Sequence, residues 1–290
     1  MANADRLILG TVQFGLAYGI NNRRGQVSAA EVADILDYAH AQGIRTLDTA
    51  DAYGSAATRI GDFHRRDDRR FDVITKFKGD ANGAAIKDRL RTSLQALHVP
   101  KAAGYLYHSP ELFVQQPESL TQLTALRDAD LIEHIGVSIY TNAQLKAAIE
   151  HPEIGLIQLP YNLLDNHTRR GDLIRKAKAA DKLIHARSVF LQGLFFKKPE
   201  KLPQQLLDLR EALITLREIA AGYRLTTAQL CLGYVLHNAD IDGVLIGVDS
   251  LAQLKANLEA VRAPLPAGVI TDVEQIVVSN PALLNPSNWS

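Results

Sequence analysis

Eight short runs rich in β-branched and aromatic residues recur along the chain, each followed by a segment of helical spacing. This alternation limits the fold more than any other feature. The candidate strands are Leu7–Thr11, Ile44–Asp48, Phe71–Lys76, Gly104–His108, His134–Ser138, Gly155–Leu159, Leu183–Ser188 and Gly243–Gly247. Between the first two, SAAEVADILDYAHAQG puts Val32, Ile35, Leu36 and Ala39 on one helical face. Ser28/Glu31, Thr141/Gln144, Thr226/Gln229 and Ser250/Gln253 each read as a capping box at a helix start. Eight strand–helix units close more economically into a parallel (β/α)8 TIM barrel than into an open sheet. The right-handed crossover rule orders the strands sequentially around it. Two helical segments, Pro203–Gly222 and Thr226–Asn238, fall between the last two strands, so one is an addition. Phe196–Gln204 reads as a loop, and the tail NPALLNPSNWS as irregular coil.

No linker or repeat divides the 290 residues, and a single domain over 1–290 is expected. Lys plus Arg and Asp plus Glu both total 32, which argues against a nucleic-acid-binding or anionic-membrane surface spread over the molecule. The lone Cys231 excludes an internal disulfide and a thiolate-built metal site, and it reads as core packing in a cytoplasmic protein. The opening MANADRLILG lacks the basic-then-apolar pattern of a secretory signal, and no apolar run is long enough to span a bilayer. The histidines show no metal-ligand spacing. HRRDDRR (His64–Arg70) mixes signs and reads as a solvated loop.

Barrels carry their sites at the carboxyl ends of the strands, so the polar residues there are the candidates. Asp48 ends the second strand and is followed by Tyr53; Lys76, His108 and Ser138 end the next three, and Gln158 lies near the end of the sixth. An acid, a phenol, an amine and an imidazole thus meet at one mouth. A phenol titrates near 10, a neighbouring ammonium lowers that value, and a carboxylate holds the ammonium in place. An imidazole can hydrogen-bond a carbonyl oxygen. The set suits proton donation to a carbonyl oxygen while hydride reaches the carbon. No side chain supplies hydride, so a cofactor is required.

LDTADAYG (Leu47–Gly54), VITKFK (Val73–Lys78), YLYHSP (Tyr105–Pro110), IGVSIY (Ile135–Tyr140) and IQLPYNLLD (Ile157–Asp165) resemble the aldo-keto reductase superfamily. So do LILGTVQFG (Leu7–Gly15), ARSVFLQGLF (Ala186–Phe195) and LIGVDSLAQLKANL (Leu245–Leu258), all in the family's order. The resemblance implies an enzyme interconverting an aldehyde or ketone and its alcohol. It makes Tyr53 the general acid/base, Lys76 its neighbour, Asp48 the partner of Lys76, and His108 the group orienting the carbonyl. It also implies a nicotinamide cofactor, by default NADP(H), bound without a Rossmann glycine loop. Thr11, Asp48 and Arg187 would contact the cofactor, and Ser138 and Gln158 match positions that hydrogen-bond its carboxamide. Ser188 and Leu191 match the pyrophosphate loop, and Gly247, Ser250, Gln253 and Asn257 the adenosine-phosphate segment.

The chain departs from the family pattern at four places. Ile139 stands where an Asn often follows the serine, Arg187 replaces an aromatic residue that stacks on nicotinamide, and Thr58 stands where a Glu is common. Gly247–Gln253 contains Asp249 and neither Lys nor Arg, so nothing there pairs with a 2′-phosphate and NAD(H) stays open. Ser250/Gln253 reads equally as a helix cap. Tyr18, Tyr140, Tyr161 and Phe190 either line the substrate pocket or pack. The expected partner is a small carbonyl or sugar-like substrate, and the expected assembly a monomer or small homo-oligomer. An NAD-linked sugar or polyol dehydrogenase and a non-catalytic cofactor-sensing subunit are the alternatives.

Overall fold

The structure, a computed structural model, describes residues 4–78, 83–115 and 118–289. Eight parallel strands close into a barrel in sequential order: β1 (Leu7–Gly10), β2 (Thr46–Asp48), β3 (Asp72–Phe77), β4 (Ala102–Tyr107), β5 (Ile132–Ser138), β6 (Leu156–Pro160), β7 (Leu183–Arg187) and β8 (Gly243–Gly247). The ring is sealed where Leu7–Gly10 pair with Val244–Gly247. The strands are apolar on both faces because both are covered. Ile8, Ile74, Leu106 and Leu156 fill the barrel interior, and the larger core lies between strands and helices.

Strand ends differ from expectation where a neighbouring bond captures the backbone. β2 begins at Thr46 because the Ile44 amide donates to Ala39 O, closing helix Ala29–Ala41 around Gly43. β3 begins after Phe71, whose amide donates to His64 Nε2. β7 stops at Arg187 because Ser188 takes a left-handed φ of 59°. Thr141/Gln144 and Thr226/Gln229 form reciprocal capping boxes. The other two are half-boxes: Glu31 pairs with Arg24, and Gln253 Oε1 accepts from Asp249 N instead of Ser250 N.

Three segments are more ordered than the sequence suggested. The tail forms short 3-10 turns at Pro281–Leu284 and Pro286–Asn288 and buries Trp289, whose Nε1 donates to Leu283 O at 2.8 Å. The stretch HRRDDRR starts inside helix Ala56–Arg66, and His64 is buried with Nδ1 donating to Leu97 O at 2.7 Å. The loop expected over Phe196–Gln204 contains a 3-10 turn, Pro199–Lys201. Beyond it, the helix expected from Pro203 is a 3-10 turn, Gln204–Leu209, running into α-helix Arg210–Gly222. Helix Thr227–His237 follows, giving the two helices expected before β8.

Candidate functional site

Asp48 is the hub of the barrel mouth. Its carbonyl accepts the amide and hydroxyl of Thr11, each at 2.9 Å, which ties β1 to β2. One carboxylate oxygen pairs with Lys76 Nζ from β3, and the other accepts Gln158 Nε2 from β6 at 2.8 Å. Lys76 also donates to Thr49 O at 3.2 Å. All are buried, so their charges and dipoles are compensated locally rather than by water. Gln158 therefore braces Asp48, a contact the residue types alone do not reveal. Burial holds Lys76 below the usual lysine range, opposed by Asp48.

Tyr53 sits on the loop after β2, clamped by the backbone. Gly15 comes so close that a Cβ there would stand 1.7 Å from Tyr53 O. Lys76 Nζ lies 5.5 Å from the Tyr53 ring centroid, and the His108 ring meets it edge-on at 5.8 Å. The Tyr53 hydroxyl is held above its ordinary value, first by burial and next by Asp48, with Arg187 opposing. The anticipated lowering by Lys76 is not the ruling effect, because Asp48 neutralises the ammonium and burial disfavours the phenolate. His108 follows β4, its amide bonded to Phe77 O. Desolvation, then Lys76, push its pKa down to about 4, so the imidazole is neutral, and its buried Nδ1 has no hydrogen-bond partner among the described residues.

These groups open into a cavity of 640 Å³, within the usual size of a ligand site. Thr11, Ser138, Gln158, Arg187, Ser188, Gly247, Gln253 and Asn257 line it alongside Asp48, Tyr53, Lys76 and His108. Two residues expected in the lining are absent from it. Leu191 is fully buried in the core, and the Ser250 hydroxyl is spent accepting from Gln253 N. Tyr18, Tyr140 and Phe190 line the cavity; Tyr161 instead stacks on Tyr234 in the core. Gln13, Asn21, Asn22, Gln192 and Phe196 also line it and were missed. They come from loops after β1 and β7, where no periodicity marks which side chains turn inward.

The loop after β7 carries left-handed φ at Ser188, Leu191, Gln192 and Gly193. Such conformations in non-glycine residues cost energy and cluster at ligand sites. Asn162 braces the loop by donating to Ser188 O at 3.1 Å. After β8, Asp249 also lines the cavity; Gln253 Oε1 accepts its amide at 2.8 Å, and burial raises the carboxyl's pKa.

The family model described as "Aldo/keto reductase family" matches residues 6–278. The chain belongs to the aldo/keto reductase family. This aldo/keto reductase is thus an NAD(P)H-dependent oxidoreductase. It is 28% identical over 290 residues to an uncharacterized oxidoreductase of Mycobacterium tuberculosis, covering 92% of this chain and 87% of that protein. It is 21% identical over 300 residues to an NADH-specific methylglyoxal reductase of Escherichia coli, covering 90% of this chain and 91% of the relative. The holo form of an aldo-keto reductase from Bacillus halodurans superposes with a TM-score of 0.75 at 21% identity, covering 93% of this chain and 91% of that one. No helix among the described residues is long and apolar enough to cross a membrane.

Proposed function

We propose that this protein reduces the carbonyl of a small aldehyde or ketone, with Tyr53 as proton donor, Lys76 and Asp48 as its charged support, and His108 positioning the carbonyl oxygen. The observation that carries this reading is the meeting of a protonated phenol, a compensated ammonium and a neutral imidazole at one cavity. A phenol kept above its ordinary pKa stays protonated at neutrality and can give its proton to an oxygen that gains charge. The neutral imidazole can donate or accept without adding a second cation beside Lys76. Lys76 stabilises the phenolate left after transfer, and Gln158 fixes the carboxylate that keeps Lys76 in place.

The cavity suits a nicotinamide cofactor. Gln13 Oε1 and His108 Nδ1, on two of its lining residues, are buried without hydrogen-bond partners among the described residues. Gly247 leaves space beside Gln13 that a Cβ would occupy at 2.8 Å. Ser138 and Gln158 would hold the carboxamide, the loop from Ser188 the pyrophosphate, and Gln253 and Asn257 the adenosine end. When bound, the cofactor supplies the hydride. The test is oxidation of reduced nicotinamide over a panel of aldehydes and ketones by wild type and Tyr53→Phe. A loss of 10²–10⁴-fold in turnover, about what a positioned acid contributes, is expected, with cofactor still bound in a fluorescence titration. Retained turnover in Tyr53→Phe would sink the assignment.

A second reading concerns cofactor choice. NADP(H) is the family default, but Asp249 lines the cavity and Gly247–Gln253 offers no cation, which favours NAD(H). The Asp249 carboxylate would repel a 2′-phosphate and accept hydrogen bonds from a ribose diol. NADH is expected to bind at least tenfold more tightly than NADPH, and Asp249→Ser to narrow the gap; equal affinities would overturn the reading.

A further inference from the structure

Among the described residues, Lys76 and Arg187 are the cations lining the cavity, and only Lys76 is paired with a carboxylate. Lys76 is paired with Asp48. Arg187, the inward-facing residue at the end of β7, forms no ion pair with a carboxylate among the described residues. Its guanidinium is nonetheless held in place. Nη2 donates to Ile139 O at 2.9 Å, Nη1 donates to Ser188 Oγ at 3.2 Å, and the Tyr140 ring lies under the Cζ atom at 4.1 Å. Tyr140 is itself fixed: its amide donates to Gln144 Oε1 at 2.8 Å and its carbonyl accepts Arg170 Nη2 at 2.7 Å. Arg170 in turn is locked in a buried bidentate pair with Asp165 at 2.7 and 2.6 Å. A guanidinium has five N–H donors, and two of them are satisfied here, both by neutral acceptors. Its charge is felt by Tyr53, Tyr18 and His108 alike, so it stands within electrostatic reach of the reacting phenol.

A partly buried cation with neutral partners loses hydration without Coulombic return, and an oxyanion supplies that return through bidentate hydrogen bonds. Tyr18, Gln192, Phe190 and Phe196, phenolic, amide and apolar, line the same cavity. We propose that Arg187, clamped against Tyr140, is an anion subsite of the substrate pocket, and that the physiological substrate is a carbonyl compound bearing a carboxylate or phosphate group. The proposal rests on the carbonyl-reductase reading and gives it a substrate class. The anion is anchored by Arg187 while its carbonyl oxygen faces Tyr53. Hydride goes to the carbonyl carbon and the Tyr53 proton to its oxygen; the anionic group is unchanged.

The experiment compares matched pairs: succinic semialdehyde against butyraldehyde for the carboxylate, and glyceraldehyde 3-phosphate against glyceraldehyde for the phosphate. The wild type is expected to favour one anionic member at least tenfold in kcat/KM, mainly through KM, and the pair that responds identifies the anion. Arg187→Met should bring that ratio close to one. Arg187→Lys, which keeps the charge but not the planar fork, should leave an intermediate ratio. In parallel, succinate and glycerol 3-phosphate are titrated against the NADH-loaded protein by calorimetry, with succinamide and glycerol as neutral controls. Neutral and anionic carbonyls reduced alike would overturn the subsite and leave the reductase reading standing. Arg187-dependent anion binding without turnover of any carbonyl would keep the subsite and overturn the reductase reading. A loss of NADH affinity in Arg187→Met with the anionic preference intact would assign Arg187 to the cofactor and also overturn the proposal.

Discussion

At the scale of single residues, the chemistry depends on how burial and pairing divide among four side chains. Lys76 and Asp48 neutralise one another in a dry setting, which leaves Tyr53 governed by desolvation and by the carboxylate rather than by the ammonium. The consequence for pH is definite. A phenol held above its ordinary value near 10 remains a proton donor throughout the neutral range. With saturating cofactor, kcat/KM for carbonyl reduction is expected to be flat between about pH 7 and about pH 9. A decline centred below about pH 9 would mean that the bound state lowers Tyr53 after all. The identities of the four groups were legible from residue type and strand position. Their electrostatic ranking was not, because it depends on burial and on the Gln158–Asp48 bond, which spans 110 residues of sequence.

At the scale of elements, the site is aimed by contacts between connections rather than by the strands alone. The short helix Val12–Gly15 packs against the loop holding Tyr53, and Gly15 permits that approach. Gly15→Ala would place a methyl on the Tyr53 carbonyl, so the loop must shift. Overpacking of this kind costs about 1–3 kcal/mol. Turnover is expected to fall more than tenfold while the melting temperature drops by a few degrees; unchanged turnover would show that the loop tolerates the displacement. The apolar periods revealed the strands and principal helices because both faces of a parallel strand and one stripe of a helix must be buried. The ordered tail around Trp289 and the turns near Pro199 escaped notice, since 3-10 turns are too short to show a period. Leu191 and Ser250 matched the family's pattern, yet their side chains pack or cap rather than face the cavity.

At the scale of the whole molecule, closure of the barrel puts ionisable groups inside it. His185 lies within the barrel below Arg187, where the space over Gly243 is taken by its ring, and its Nδ1 has no hydrogen-bond partner among the described residues. Desolvation depresses both His185 and His108 to about 4, against 6.5 for a free imidazole. The unfolded chain therefore gains protons first as pH falls. Stability from each neutral imidazole is complete above about 6.5 and is lost progressively toward 4, by up to about 3 kcal/mol per group. His185→Gln, which removes one of these protonation sites, is expected to flatten the dependence of the denaturation midpoint on pH across that window. An unchanged slope would place the acid sensitivity elsewhere.

Asp48, joined through one carboxylate and one carbonyl to β1, β3 and β6, separates the mouth into two zones of different mutational tolerance. Exchanges at the hub disturb contacts to several strands at once. Tyr18, Phe190, Gln192 and Phe196, on the loops after β1 and β7, share none of those bonds. Libraries aimed at new carbonyl compounds belong on these loop positions, where diversity is decoupled from the proton-transfer apparatus and a single scaffold can be retrained repeatedly without being rebuilt.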